Sequence, residues 1–410
     1  MGTGYDAIVV GARCGGSPTA MLLARNGHRV LLVDKADFPS DTMSTHLIHP
    51  PGVAALNRWG LLERLEATGC PPIRNYSYDF GPIRISGSPA SAEEGISDAF
   101  CPRRTVLDKL LVDAAVEAGA ELREKFTVDE VVFEDGKATG IRGHSKGGDP
   151  VTELGRIVIG ADGKHSQVAK AVQPDEYNQK PTLEASYYAY WSGLATEGVE
   201  FWIRSENGRG WGVLPTHDDL TVVVMGWPRA QFDANRKDVE GNYMRSLELA
   251  PEFAERMRDA KRETRFVGTG DLPNFFRKPH GPGWALVGDA GYHKDPITAW
   301  GISDAFRDAE LLSGALDDAF SGSREYDEAM TDYQQSRDQD ALAMFELTCD
   351  FARIEPPAPE LQQLMGAVAT SEEAMRGFVS VMAGTLPAPE FFAPENVGRI
   401  MAQAGSAASS

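Results

Sequence analysis

Residues 6 to 34 constrain the fold more than any other stretch. The apolar run Asp6-Ala-Ile-Val-Val10 leads into Gly11-Ala-Arg-Cys-Gly-Gly16, then a helical segment from Ser17 to Asn26, then His28-Arg-Val-Leu-Leu-Val33-Asp34. Strand, glycine turn, helix and strand at these separations make a βαβ unit of the dinucleotide-binding kind. Gly11 permits the sharp turn out of the first strand, Gly16 lets helix and strand pack closely, and the free N–H groups of the helix start can receive a pyrophosphate. Asp34 ends the second strand, where a carboxylate accepts hydrogen bonds from ribose hydroxyls. Arg13 stands where the G-x-G-x-x-G fingerprint has its middle glycine. Two readings stay open: Arg13 points outward while Gly15 and Gly16 supply the close approach, or its guanidinium itself touches phosphate.

Beyond Lys35 the chain is polar and rich in turns as far as Leu47, and it leaves the carboxyl end of a strand, where α/β sheets bind ligands. His46 therefore either lies beside a bound ring or caps a helix starting near Pro51. Apolar spacing predicts one amphipathic helix over 52–68, a loose stretch over 70–99, and a helix from Val106 to Ala118 opened by Arg103-Arg104. Basic residues at a helix start oppose its dipole, so this pair is explained either by an anionic neighbour or by solvation. Strands are expected over Phe126–Phe133, Ala138–Arg142 and Arg156–Gly160. The last delivers Gly160-Ala-Asp-Gly-Lys-His-Ser166 at a strand end, ahead of a helix from about Gln167.

From about Pro174 to Arg277 aromatic residues become dense and β-patterned runs alternate with turns, which predicts a separate antiparallel sheet interrupted by one helix, Val239 to Arg262. Most of those rings are expected to be core, and the rest could wall a pocket for a flat apolar molecule. Residues 284 to 289 return to the first sheet and lead into Gly288-Asp-Ala-Gly-Tyr-His-Lys-Asp-Pro-Ile-Thr-Ala-Trp-Gly301, followed by helices from Ile302 to Phe320 and Tyr326 to Phe351. The last 50 residues read as helical, with a frayed tail from Gly405. The pattern is α/β, and the resemblance carried by Gly11–Gly16, Asp162-Gly163 and Gly288-Asp289 implies a Rossmann-like (GR2-type) FAD-binding domain with an inserted antiparallel β-sheet substrate domain and a helical C-terminal region. The expected partition is 1–173 and 281–350 for the FAD-binding domain, 174–280 for the sheet domain, and 351–410 for the extension.

Composition excludes several classes. A net charge of −20 leaves no basic footprint for a nucleic acid. Cys14, Cys70, Cys101 and Cys349 lie far apart, without the spacing of a zinc site or a disulfide framework, so no metal is expected and a reducing compartment fits. Ala7–Val10 is too short for a signal peptide or a membrane span, and the chain is expected to be cytoplasmic, with no stable membrane association.

With Gly11–Gly16, Asp162-Gly163 and Gly288-Asp289 in this order, the chain resembles the single-component (group A) FAD-dependent aromatic hydroxylases of the para-hydroxybenzoate hydroxylase type over about residues 5 to 345. The resemblance implies that Gly11, Arg13, Gly15 and Gly16 surround the diphosphate, that Asp34 and Lys35 lie at the adenosine ribose, and that Arg104, which opens an Arg-x-x-Leu helix start, serves the phosphate or ribityl region. Asp162 would belong to a motif serving both FAD and a nicotinamide cofactor. Gly288 and Asp289 would hold the ribityl hydroxyls, and Pro296, Ala299, Trp300 and Gly301 would pass the pyrimidine edge of the flavin, aiming a helix N-terminus at N1 and O2. Trp300 departs from the family's usual Gly-Gly-Gln-Gly, and is expected to face the substrate cavity.

The implied activity is that of a monooxygenase: NAD(P)H, binding transiently, reduces FAD, O2 is captured as a flavin C4a-hydroperoxide, and an aromatic or other electron-rich hydrophobic small molecule is hydroxylated. His46, His293 and Trp300 are the catalytic candidates, with Tyr292 beside them. Rival readings within the fold are a flavin-dependent halogenase, whose Trp-x-Trp-x-Ile-Pro run Trp211-Gly-Val-Leu-Pro215 matches only partly, and a prenyl-chain reductase. A non-catalytic module binding a hydrophobic ligand or partner is the reading from outside enzymology. A monomer or a homodimer is expected.

Overall fold

The computed structural model describes residues 4–408. Its first sheet is built on the strand Tyr5–Val10, which pairs in parallel with Val30–Val33 on one side and with Val151–Gly160 on the other. Glu121–Arg123 extends the sheet at one end, and Trp284–Leu286 with His280–Gly281 completes it at the other. Ile8 sits between Leu31 and Val158, all three fully buried or nearly so, as continuous apolar runs require in a sheet covered on both faces. One strand serves two structures: Val151–Leu154 pairs antiparallel with Lys137–Ser145 in the small meander, and the remainder joins the parallel sheet. The helices Gly16–Arg25, Arg104–Glu117 and Gly301–Ser321 share the core on one face, where Leu23, Leu111 and Phe306 are buried.

The second sheet is antiparallel apart from one parallel pairing, and runs from Lys261–Arg262 through Glu184–Ser192, Thr221–Pro228, Arg209–Pro215 and Val199–Arg204 to Tyr76–Asp79 and Arg84–Gly87. The final two strands come from the stretch expected to be loose. Each is only four residues long and they are divided by Gly81-Pro82, too little for a local pattern to register. Alternation then sorts the aromatics. Trp191, Trp202, Trp211 and Trp227 enter a core with Tyr243 and Phe253, whereas Tyr76, Tyr78, Tyr188 and Tyr190 lie on the opposite face. Trp202 and Trp211 stack at 5.9 Å between centroids, an arrangement worth about 1 kcal/mol beyond burial.

Local breaks divide two expected helices. The 52–68 segment becomes Pro50–Arg58 and Leu62–Glu66 because Gly60 takes a left-handed conformation, φ +72°. The 239–262 segment becomes Val239–Leu247, capped by Asp238, and Pro251–Met257, because Pro251 lacks the N–H needed to continue a helix and suits the start of a new one. Helices Pro359–Val368, Glu372–Ala383, Ala388–Phe391 and Pro394–Ala408 then cover the tyrosine face of the second sheet. Helix therefore continues through Gly405, where a frayed tail was expected, as far as Ala408; Ser409 and Ser410 lie outside the described residues.

A three-stranded junction, Glu176–Lys180, Asn274–Arg277 and Tyr292–His293, links the two sheets. The fully buried Arg337 ties it by donating to the Tyr177 hydroxyl at 2.7 Å, the Arg277 carbonyl at 3.1 Å and the Gly291 carbonyl at 3.4 Å. Among the described residues no helix is long and apolar enough to cross a membrane.

Candidate cofactor and substrate site

Three segments far apart in sequence meet at the end of the first sheet. Gly11 has φ +103°, and a Cβ there would fall 2.4 Å from the Ala161 carbonyl oxygen. At Gly16 a Cβ would fall 1.7 Å from the Gly11 carbonyl oxygen, and at Gly288, with φ +58°, it would lie 3.9 Å from Gly15 Cα. The glycine turn thus touches the residue before Asp162 and the residue before Asp289, and the absence of side chains is what permits the approach. Asp34 braces the turn: its carboxylate accepts the Ala12 N–H and the Ala36 N–H, both at 2.8 Å. Lone pairs remain for a further donor, and Lys35 beside it is exposed.

Arg13 does not point outward into solvent. Its guanidinium pairs with Asp108, donates to Ser40 Oγ at 3.0 Å and lies over the Phe38 ring. Asp108 is fully buried and also takes Nε and Nη2 of Arg104, at 3.0 and 2.9 Å. Arg104 is therefore not the solvated residue of the alternative reading. One carboxylate faces two guanidiniums beside the helix start Gly16–Arg25, and the excess positive charge suits a diphosphate. Asp108 is a site residue that the sequence did not single out; the only local signal was its i,i+4 spacing from Arg104.

Asp162 accepts the Gln167 N–H at 2.6 Å at the start of the helix Gln167–Val172, which Ser166 caps, while its Oδ1 is buried without a partner, and burial raises its pKa. Asp289 stands on the turn Gly288–Ala290, exposed, with no hydrogen bond to another described residue. Next to it a cavity of about 20 Å³ is lined by Gly288, Asp289, Tyr292, Lys294, Gly301 and Asp304. Lys294 is paired with Asp304, and Asp304 also takes Arg307 at 2.9 Å. Tyr292 is a structural member of this network: its hydroxyl accepts from Lys294 at 3.0 Å and from Arg307 at 3.4 Å, and burial pushes its pKa far up.

The histidines separate in role. His293 belongs to the junction sheet, its Nδ1 bonded to the Pro273 carbonyl and its ring packed on Phe275. His46 is fully buried at φ +67°, with Nε2 2.6 Å from the Tyr190 hydroxyl, and its Nδ1 is buried without a partner. It is not the helix cap. That position belongs to His49, which sequence reasoning passed over and which precedes Pro50–Arg58 in extended conformation. His49 Nε2 donates to the Thr298 carbonyl at 3.0 Å, so its Nδ1 accepts from the Tyr76 hydroxyl at 3.1 Å. Its ring stacks on Trp300 at 4.9 Å.

Trp300 is engaged by the protein's own groups. The indole is wedged between His49 and Gly384, and its N–H bonds to the Met382 carbonyl at 3.2 Å. The loop Pro296–Gly301, in which Ala299 takes φ +57°, is thereby clamped to the C-terminal helices. Gly384→Ala tests this clamp. A Cβ at 384 would fall 1.9 Å from Trp300 Cη2 on a backbone at φ +78°, so the variant is expected to lose about 2–4 kcal/mol, seen as a lowered melting temperature.

The turn, the helix start and an unpartnered aspartate at one sheet end define a dinucleotide-binding flavoprotein of α/β fold, and the residues present fit FAD. The chain belongs to the FAD binding domain family, whose model matches residues 4–348. It is similar to digeranylgeranylglycerophospholipid reductase of Methanocella arvoryzae, 26% identical over 324 residues, covering 76% of this chain and 77% of that protein. It shares its fold with the myxobacterial chondrochloren halogenase CndH (TM-score 0.78, 21% identity, covering 98% of this chain and 96% of that one). The fold is also that of PqsL from Pseudomonas aeruginosa, a probable FAD-dependent monooxygenase (TM-score 0.69, 21% identity, covering 93% and 99%). An FAD-dependent oxidoreductase is the class these findings establish.

Proposed function

We propose that the chain is a monooxygenase of the para-hydroxybenzoate hydroxylase type, using NAD(P)H and dioxygen to hydroxylate an aromatic or other electron-rich hydrophobic small molecule. The observation that carries this reading is the buried His46–Tyr190 pair on the tyrosine face, with one imidazole nitrogen left over. When bound, FAD supplies the redox chemistry, accepting reducing equivalents from the nicotinamide and handing them to dioxygen. Gly11–Gly16, Arg104 and Asp289 would hold it, and Asp34 would take its ribose. Burial brings His46 down to about 3, so the imidazole is neutral at working pH. A neutral ring bonded to Tyr190 through Nε2 leaves Nδ1 to meet a polar atom of the substrate. The Tyr188 and Tyr190 rings stand nearly perpendicular to the imidazole, with centroids 5.6 and 5.7 Å from its own, walls suited to an apolar molecule from which water is excluded.

A halogenase is disfavoured by register. In the Trp-x-Trp-x-Ile-Pro run the tryptophans stand three and five residues before proline, whereas Trp211 stands four before Pro215. On a strand of period two it therefore falls on the other face, in the core with Trp202 and Phe253, and the positions on the tyrosine face are Gly210 and Gly212. A reductase acting on a prenyl chain keeps support from the 26% identity to an archaeal lipid reductase. Turnover distinguishes them: the hydroxylase consumes NAD(P)H with dioxygen and its product gains one oxygen, whereas a reductase runs anaerobically and its product gains two hydrogens. Colourless protein that takes up no FAD would leave only a binding module.

Tyr190→Phe removes one hydroxyl and strands His46 Nε2. We expect kcat/KM to fall about 100-fold, the lower range for loss of a proton-handling group, with the FAD Kd unchanged; steady-state kinetics alongside an FAD titration would check both.

A further inference from the structure

Two carboxyl groups meet in the interior where the second sheet approaches the flavin-side loop. Glu184 is 3% exposed and Asp295 1%, and each carboxyl is the other's one acidic neighbour within interaction range. Asp295 uses Oδ1 to accept the Ile297 N–H at 3.1 Å, capping the turn Pro296–Thr298. Its Oδ2 and Glu184 Oε2 receive no N–H or hydroxyl donor from other described residues. Space for the pair is built in: a Cβ on Gly226, on the neighbouring strand, would fall 2.4 Å from Glu184 Oε1.

The surroundings supply no counter-charge. The strands Thr221–Pro228 and Val267–Thr269 contain no ionisable residue, and Arg229 directs its guanidinium over Phe232. From Asn274–Arg277 comes the neutral Asn274, whose side-chain oxygen accepts the Asp295 N–H at 2.7 Å. The helix Tyr326–Phe351 presents Thr348, bonded to Thr298 at 2.7 Å, and the Cys349 thiol, which burial pushes up to about 12. Neither carboxyl feels a lysine, arginine or histidine. Two carboxylates facing each other in such a place cannot both ionise.

We propose that Glu184 and Asp295 share one proton, and that this O–H···O bond is a positioning device holding the loop Asp295–Trp300 against the substrate wall. The strand that Glu184 begins carries Tyr188 and Tyr190, and the loop that Asp295 begins carries the Thr298 carbonyl for His49 and the Trp300 clamp, so the relative placement of wall and loop hangs on that proton. Burial raises both groups; the Asp295 carboxyl pushes Glu184 further, far above its usual range, whereas the bond from Glu184 pulls Asp295 back to about 7, which seats the proton on Glu184. The folded chain keeps a proton that the unfolded chain releases. Stabilisation is therefore full below the unfolded carboxylate range, near pH 4, and is lost as pH rises through the folded values.

The inference rests on FAD binding at this loop and not on hydroxylation. Its test is an FAD titration of the apoprotein by flavin fluorescence from about pH 6.5 to about pH 9.5, with apoprotein melting temperatures over the same range. The wild type is expected to weaken in FAD affinity by about tenfold or more and to melt lower as pH rises. Glu184→Gln donates an amide N–H that does not titrate, so above about pH 8, where Asp295 is ionised, its affinity and melting should be flat; Asp295→Asn keeps Oδ1 on Ile297 but leaves the buried Glu184 to titrate, so its melting should still fall as pH rises. Glu184→Ala should be weak at every pH. A flat wild type, or a Glu184→Gln variant as pH-sensitive as the wild type, overturns the proposal. Should Glu184→Gln fail to fold, the double variant Glu184→Gln/Asp295→Asn, which has no carboxyl left to titrate at this pair, decides by the same flatness. A chain that binds no FAD would refute the cofactor reading, while its melting profile would still decide on the shared proton.

Discussion

Gly16→Ala yields a protein that no longer retains FAD and that melts well below the wild type. The reason is a backbone collision: a Cβ at 16 lies 1.7 Å from the Gly11 carbonyl oxygen and 3.0 Å from Ala161 Cβ. A flexible side chain could swing aside, but the carbonyl belongs to the turn itself. The helix Gly16–Arg25 would have to lift off the strand, moving the N–H groups meant for the diphosphate and opening the contact with the Asp162 turn. Overpacking in well-packed cores costs about 1–3 kcal/mol, and this site belongs at the upper end or beyond. Thermal melting and the flavin absorbance of the purified protein measure the two consequences. Gly15→Ala, whose residue stands in the same turn, is the control for melting alone, since its Cβ would meet Val287 at 3.6 Å, an ordinary contact. Equal loss of melting temperature in the two variants would contradict the packing argument.

Asp289→Ala should leave stability unchanged while still removing cofactor. Asp289 is exposed and makes no hydrogen bond to another described residue, only a through-space attraction to Arg104 and His293, so the apoprotein gives up little by losing it. Hydrogen bonds to a charged group are worth about 1.5–3 kcal/mol, so the FAD Kd should rise by roughly 10- to 150-fold. The apoprotein melting temperature should stay within about 1 °C of the wild type, as for surface substitutions generally. An unchanged Kd would remove Asp289 from the ribityl contact. A large fall in melting temperature would show it to be structural.

What could be read in the sequence was what depends on neighbours in the chain. Gly11, Gly16 and Gly288 sit where short-range backbone geometry demands them, and the runs around Ile8, Leu31 and Ile159 are apolar because both faces of a parallel sheet are covered. The halves of the site that depend on distant partners were hidden. Asp108 matters because a helix brings it under Arg13, His49 because Thr298 and Trp300 come to it, and Trp300 because Gly384, far along the chain, leaves a gap of its shape. The tyrosine wall followed from alternation once the strand Glu184–Ser192 was in place, but its neighbours Tyr76 and Tyr78 lay on strands too short to announce themselves. Arg13 shows the same limit: its position marked a departure from the fingerprint, and only the fold revealed the buried carboxylate that it shares with Arg104.

Turnover of an electron-rich aromatic substrate with NAD(P)H under ¹⁸O2, followed by mass spectrometry of the product, puts the reading of the site to its most direct test. The account predicts a product carrying one ¹⁸O atom and no turnover when dioxygen is withheld. A product that gains two hydrogens and no label, formed equally well without dioxygen, would contradict it.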